Sequence, residues 1–373
     1  GYGHLAQVAP VVAELRRRLP GLELTLQGPV STAFAASRLP ADFRHVQAPA
    51  DVALPMDGPL ATRWVEGLAD YIAFDADYSM HWARQRQLFE EARPDLVLAD
   101  IPWLPLDVAG AMGLPAVALS SLSWYDILCE SPVGGQVPAG LAERMRDAYA
   151  RAELFLRPAP SMPMDWLPNG RDIGPIAAPH QRDPARLRAL LGRPADERLV
   201  LMQFGGTGRL RPGGGPRLLD GVHLLSPDAG AGSGRDDLTV ISADGPSDGP
   251  SDGPSVLEVL ASCDALITKP GYGTFAEAAC SGIPVLSVER RDWPESRWLV
   301  DWLARQVPLR EVSADAVAAG ELSEPLAELL ADGPAPPVAP TGVAEAADLL
   351  MPMLEPRNRS WTAARVRPAW CPA

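Results

Sequence analysis

The chain has 373 residues, 47% of them hydrophobic, and a formal net charge of −14. That length supplies two domain cores of ordinary size, and the acidic balance argues against nucleic acid and anionic membrane as general partners. No apolar run reaches the roughly 18 residues that a membrane span needs, so no integral membrane segment is expected. The four Cys lie far apart without metal-ligand spacing, so no metal site and a reducing, cytoplasmic setting are expected.

In chain order, the opening Gly1-Tyr2-Gly3-His4 reads as a loop, which leaves open a first strand or a targeting segment upstream. Val8 to Leu19 carries an apolar stripe and ends in three Arg, which favours a helix C-terminus. Leu22 to Gln27 reads as a strand and Thr62 to Glu91 as a helix. Asp95 to Asp100 is an apolar strand ending in an acid. Leu106 to Met112 is a helix stopped by Gly113, and Leu114 to Ser120 is the next strand. This is the alternation of a parallel sheet covered by helices.

Pro158 to Pro179 reads as a boundary, with a helix over Arg182 to Leu191 after it. The pattern restarts with a strand at Arg198 to Phe204, running into Gly205-Gly206-Thr207. Leu210 to Ser255 is rich in Gly and Pro and reads as irregular, with a Ser-Asp-Gly-Pro tandem inside it. Regularity returns with a short helix at Val256, a strand at Ala265 to Thr268, a helix at Phe275 to Cys280 and a strand at Ile283 to Val288. Further helices follow over Glu295 to Arg305, Leu326 to Leu330 and Val343 to Leu354. The expected architecture is α/β: two Rossmann-like domains facing a central cleft. Residues 1–165 form the first domain and 166–345 the second. Residues 346–373 are a helix and tail, with a return to the first domain left open.

The most telling unit runs from Asp264 to Leu286: strand, glycine-rich turn, helix, strand. A glycine turn feeding a helix N-terminus suits an anion. Gly271 and Gly273 allow positive φ or close backbone approach, and Thr274 reads as the N-cap. Lys269, the only lysine, stands just before the turn. Glu277 lies three residues after Thr274, which is also capping-box spacing and therefore has a purely structural reading. The lysine precedes the glycines, unlike the lysine of a Walker A loop.

Several segments together resemble nucleotide-sugar glycosyltransferases of the two-Rossmann-domain (GT-B) type. They are Gly1-Tyr-Gly-His-Leu-Ala-Gln7, Ala99-Asp-Ile-Pro-Trp103, Phe204-Gly-Gly206, Thr268-Lys-Pro-Gly-Tyr-Gly-Thr-Phe-Ala-Glu-Ala278, Gly282-Ile-Pro-Val-Leu286 and Arg291-Asp-Trp-Pro-Glu-Ser-Arg-Trp-Leu-Val-Asp-Trp302. The nearest resemblance by motif is to the glycosyltransferase-like N-terminal region of plant L-arabinokinase and similar bacterial proteins. It implies a donor-binding second domain and an acceptor-binding first domain, with a nucleoside-diphosphate sugar as donor, a UDP-sugar favoured, and no cofactor. By the same resemblance, Gly206, Thr207, Lys269, Gly271, Gly273 and Thr274 are expected at the diphosphate, and Glu277 at the ribose. Asp292 and Glu295 are expected near the sugar. His4 resembles the catalytic base and Asp100 the acid that orients it, the pairing that sugar-hydroxyl activation calls for.

Other readings remain beside these. His4 also suits a ligand contact or a backbone-bonded loop residue, and Asp100 also suits a cap on the turn before Pro102. Trp64, Trp82, Trp103 and Trp124 could line an aromatic acceptor patch or fill core. Lys269 stands where many sugar-transferring relatives carry a histidine, and the irregular segment falls where the nucleotide base would be enclosed. An epimerase or hydrolase of the same fold, or a non-catalytic nucleotide-sugar-binding or scaffolding protein, is the alternative to transfer.

Overall fold

The computed structural model describes residues 2–40, 42–178, 180–205, 218–228, 235–241 and 254–354. The chain divides into two compact units. Unit 1 takes the residues up to Pro55, Arg63–Gly174 and those from Thr341 on; unit 2 takes Met56–Thr62 and Pro175–Pro340.

The chain opens with α1 (Tyr2–Arg18), β1 (Leu24–Gln27), α2 (Thr32–Ala36) and β2 (Phe43–Val46). The short hairpin β3 (Met56–Asp57) and β4 (Ala61–Thr62) belongs to unit 2. Then come α3 (Trp64–Ala76), α4 (Tyr78–Ala92), β5 (Val97–Ala99), α5 (Trp103–Met112), β6 (Ala116–Leu119) and α6 (Trp124–Cys129). α7 (Ala139–Arg151), β7 (Leu154–Pro158) and β8 (Gly170–Ile173) complete this stretch. β1 and β2 pair in parallel, and β5-β6-β7-β8 form a separate parallel sheet of four strands.

The opening expected as loop is helix. Leu5 already belongs to the apolar stripe, packing with Ala9 and Val12 against Val30, Ala35 and Leu39, so α1 begins before the first residue that its periodicity announced. His4 therefore sits in the first turn of a helix. The single helix expected over Thr62 to Glu91 is two. Asp77 leaves helical geometry between them (φ −99, ψ 18), and no Gly or Pro marks the break. The boundary segment contains β8, which completes the four-stranded sheet beside β7.

Unit 2 continues with α8 (Pro184–Leu190), β9 (Arg198–Met202), β10 (Val222–Ser226), β11 (Leu238–Val240), α9 (Val256–Ser262) and β12 (Ala265–Thr268). α10 (Tyr272–Ser281), β13 (Val285–Val288), α11 (Ser296–Leu303), β14 (Leu309–Val312), α12 (Ala314–Ala319) and α13 (Ser323–Asp332) follow. The last described element, α14 (Gly342–Leu354), returns to unit 1 and packs on α1. Arg18 pairs with Asp348 at 2.5 Å, and the Gly174 amide donates to Glu345 at 2.8 Å.

Six parallel strands form the unit 2 sheet in the order β11-β10-β9-β12-β13-β14. Its four inner strands are buried on both faces, while the edge strands β11 and β14 are only partly buried. Leu199 and Leu201 of β9 face one core, with Phe275 and Leu299, while Val200 and Met202 face the other, with Leu286 and Leu326. Both faces are covered there, so β9, β12 and β13 read as continuous apolar runs. The segment expected to be irregular supplies two of the six strands; β10 is wholly buried although glycine-rich sequence flanks it.

Candidate functional site

The first site lies in unit 1, where β5 gives way to α5. Asp100 follows β5, and its carboxylate meets His4 Nδ1 at 2.8 Å, 96 residues away in sequence. The Asp100 side chain is 3% exposed and that of His4 is 26% exposed. A carboxylate at Nδ1 holds the proton there and leaves Nε2 as the basic nitrogen. The remaining Asp100 oxygen, Oδ2, is buried without a hydrogen-bond partner among the described residues.

Trp124, at the start of α6, stands edge-on to the His4 ring with centroids 5.9 Å apart. Buried Tyr149 ties this wall together: its hydroxyl donates to the Ile101 carbonyl at 2.8 Å and accepts from the Trp124 amide at 3.2 Å. Asp51 also bonds the Trp124 side chain. One of its oxygens accepts from the Val52 amide at 2.6 Å, while Oδ2 is buried and unpartnered among the described residues. Burial pushes the Asp51 carboxyl up to about 8. Of the four Trp considered for an acceptor patch, Trp64, Trp82 and Trp103 are buried core, and only Trp124 reaches the His4 site.

The second site lies at the C-terminal edge of the unit 2 sheet. Chain order reverses there: from β9 the chain runs outward through β10 and β11, then returns to β12 on the other side of β9. Such a switch point leaves a crevice beyond the strand ends, the usual ligand position in an open parallel sheet. Gln203 to Gly205 leave β9 and Lys269 to Gly271 leave β12. Gly205 has φ +79, a conformation suited to glycine, and a Cβ there would lie 4.0 Å from Lys269 Cε. Gly206 and Thr207 lie outside the described residues.

The helix begins earlier than the sequence suggested. Gly271 is the N-cap, with extended backbone (φ −166) and no side-chain cap. Thr274 is therefore the third residue of α10 rather than its cap, and Thr274 and Glu277 do not form a capping box. Neither Gly271 nor Gly273 has positive φ. The glycines instead leave open space: nothing stands within 4 Å of a Cβ at Gly273, and a Cβ at Gly271 would meet Lys269 Nζ at 4.0 Å. With no side-chain oxygen at the cap, the first amides of α10 retain their capacity for an anion.

Lys269 makes no hydrogen bond or ion pair through Nζ among the described residues. Burial, then the nearby Arg290 guanidinium, lowers it to about 8, against the opposing pull of Glu295. Asp292 accepts from the Thr62 amide at 2.8 Å, which anchors the β3–β4 hairpin. Glu295 is 4% exposed and accepts from the Trp293 indole at 3.1 Å. Sequence reasoning missed Asp51, Tyr149 and Arg290; an Arg two residues beyond an apolar strand was the one available signal among them.

Among the described residues no group of three His, Cys, Asp or Glu is placed to hold a metal ion, and no helix is long and apolar enough to cross a membrane.

No family model matches the chain, and no curated protein sequence matches it. Solved structures do match. The glycotransferase of kitacinnamycin is 20% identical, covering 95% of this chain and 96% of that one, with a TM-score of 0.57. The calicheamicin glycosyltransferase CalG4 is 15% identical over 95% and 96%, with a TM-score of 0.59. UGT89C1 of Arabidopsis thaliana, solved with UDP-L-rhamnose, is 13% identical over 94% and 96%, with a TM-score of 0.58. The fold is that of the GT-B glycosyltransferases. The narrower likeness to the arabinokinase region rests on the motifs alone.

Proposed function

We propose that the protein is a glycosyltransferase that moves a sugar from a nucleoside-diphosphate sugar to an acceptor hydroxyl, with inversion at the anomeric carbon. The observation that carries this reading is the His4–Asp100 pair at 2.8 Å. A sugar-accepting hydroxyl is a poor nucleophile until a base takes its proton, and a carboxylate-oriented imidazole is suited to that task.

In this reading His4 Nε2 takes the acceptor proton and Asp100 stabilises the imidazolium that forms. The acceptor oxygen bonds to the anomeric carbon as the bond from that carbon to the diphosphate oxygen breaks. A single displacement inverts the centre. The bond electrons leave with the nucleoside diphosphate, whose charge is met by the α10 N-terminus and the Lys269 ammonium. Gly271, Gly273 and Thr274 would approach the diphosphate, together with Gly206 and Thr207. Glu277 would accept from the ribose hydroxyls, and Asp292 and Glu295 would lie towards the sugar. A UDP-sugar is the favoured donor; UDP-L-rhamnose and dTDP are the ligands of two of the similar structures.

The test is a calorimetric titration against UDP, GDP, ADP and dTDP. Binding of one diphosphate, weakened in Thr274→Ala and in Glu277→Ala, supports a working donor site and names its base. Binding of none of the four, in a protein shown to be folded, removes the donor reading for these nucleotides.

A further inference from the structure

Unit 2 buries a second cation that the diphosphate reading does not use. Thr268 of β12 pairs with Ser287 of β13, so Lys269 and Arg290 emerge from neighbouring strands at the same edge of the sheet. Arg290 is 8% exposed. A buried guanidinium ordinarily faces a carboxylate at hydrogen-bond distance. Arg290 forms no ion pair among the described residues. Its Nη2 makes two long contacts, 3.5 Å to the Thr62 hydroxyl and 3.7 Å to the Met56 sulfur. Its Nε is buried without a partner. The guanidinium lies 4.2 Å over the Trp293 ring, which fixes its plane without using its donors.

Asp292 and Glu295 are within electrostatic reach of Arg290. Asp292 is engaged by the Thr62 amide and Glu295 by the Trp293 indole. A buried and a half-buried cation thus stand side by side at the crevice edge of a parallel sheet, next to a helix N-terminus that lacks a side-chain cap. The arrangement suits a ligand with more negative charge than one phosphate carries.

We propose that Arg290 is an anion-binding residue of the unit 2 site, taking an anionic oxygen of the same ligand whose diphosphate lies against Lys269 and α10. The inference rests on the donor reading above. On a nucleotide sugar two groups present such an oxygen: the outer phosphate, and a carboxylate on the sugar, as in a uronic acid. The planar fork of Arg290 matches either group.

The test is titration of wild type, Arg290→Gln and Arg290→Lys with inorganic pyrophosphate, UDP, UDP-glucose and UDP-glucuronate. Arg290→Gln is expected to weaken binding by about ten- to hundredfold, the worth of a hydrogen bond to a charged group. Arg290→Lys restores part of the loss. Loss with pyrophosphate and UDP assigns the oxygen to the outer phosphate; loss confined to UDP-glucuronate assigns it to a sugar carboxylate. Equal affinities of wild type and Arg290→Gln for every ligand that binds overturn the inference and leave the donor reading standing. Arg290-dependent binding of pyrophosphate without nucleotide binding does the reverse. No binding of any of the four to wild type overturns both. If a thermal melt shows that Arg290→Gln does not fold, Arg290→Lys decides, because it keeps the charge and loses the fork: weakening supports the inference and unchanged affinity overturns it.

Discussion

His4 in unit 1 faces a carboxylate 2.8 Å away, whereas Lys269 in unit 2 has no ion-pair partner among the described residues. The unit 1 pair is complete within the chain, since the carboxylate that orients the imidazole is built in. At the unit 2 edge Lys269 and Arg290 make no ion pair among the described residues, and Asp292 and Glu295 act on Arg290 only from a distance. In the proposed function this is the difference between a group that moves a proton and one that recognises charge. A base needs a fixed tautomer, and an anion site needs donors that nothing else has claimed.

The largest expected effect sharpens that contrast. His4→Ala should lower turnover by about 10²- to 10⁴-fold while leaving nucleotide affinity unchanged; a parallel loss of nucleotide affinity, measured by calorimetry, would break the division of labour. Asp100→Asn should also lower turnover, as read by the same assay, because the amide no longer fixes the proton on Nδ1.

Next is pH. Lys269 is lowered from its ordinary value to about 8 in the folded chain, so between about pH 8 and 10.5 the unfolded chain binds the extra proton. Its burial penalty is full below that window and is relieved as pH rises through it. Lys269→Met should therefore be more stable than wild type at pH 7 by roughly 2–3 kcal/mol. The gap should close above about pH 10.5, as read from urea unfolding.

Asp51 runs the other way. Its carboxyl is raised to about 8, so the folded chain holds the extra proton between about pH 4 and 8, and stability is lost as pH rises through that window. Asp51→Asn should stabilise the protein at pH 8 by about 1–3 kcal/mol, the worth of a buried polar group left unsatisfied. A melt series in which Lys269→Met and Asp51→Asn show the same pH trend would remove the contrast between the units.

The smallest effect is at α10. Thr274→Ala should cost under about 1 kcal/mol in stability, because the threonine lies within the helix and does not cap it. Its nucleotide affinity should still drop severalfold. A large fall in melting temperature would restore it to a capping role.

Half of the unit 2 sheet was readable: β9, β12 and β13 were expected, and β10, β11 and β14 were not. β9, β12 and β13 are short apolar runs, the pattern of strands buried on both faces. β10 was missed because its five residues stand between glycine-rich segments, and composition there outweighed a short apolar run. The start of α10 was misplaced because Thr274 has ideal N-cap chemistry, while the residue that caps the helix, Gly271, has no side chain to announce it. The His4–Asp100 contact was named through the motifs of a resembling family, since local periodicity says nothing about residues 96 apart. Asp51 could not have been found: it lies among Pro and Ala in a segment without periodicity, and its significance comes from the Trp124 and Tyr149 wall that tertiary structure brings to it.

The return of α14 has a consequence for the order of assembly. Its buried Ala346, Ala347 and Leu350 belong to unit 1, yet they are synthesised after all of unit 2. During translation the first unit must wait, with the α1 surface that α14 covers still exposed, until the second has emerged from the ribosome. A nascent chain stalled before Thr341 would hold the finished sheet of unit 2 beside an unfinished unit 1, and chaperone binding to that species should disappear once α14 has been made.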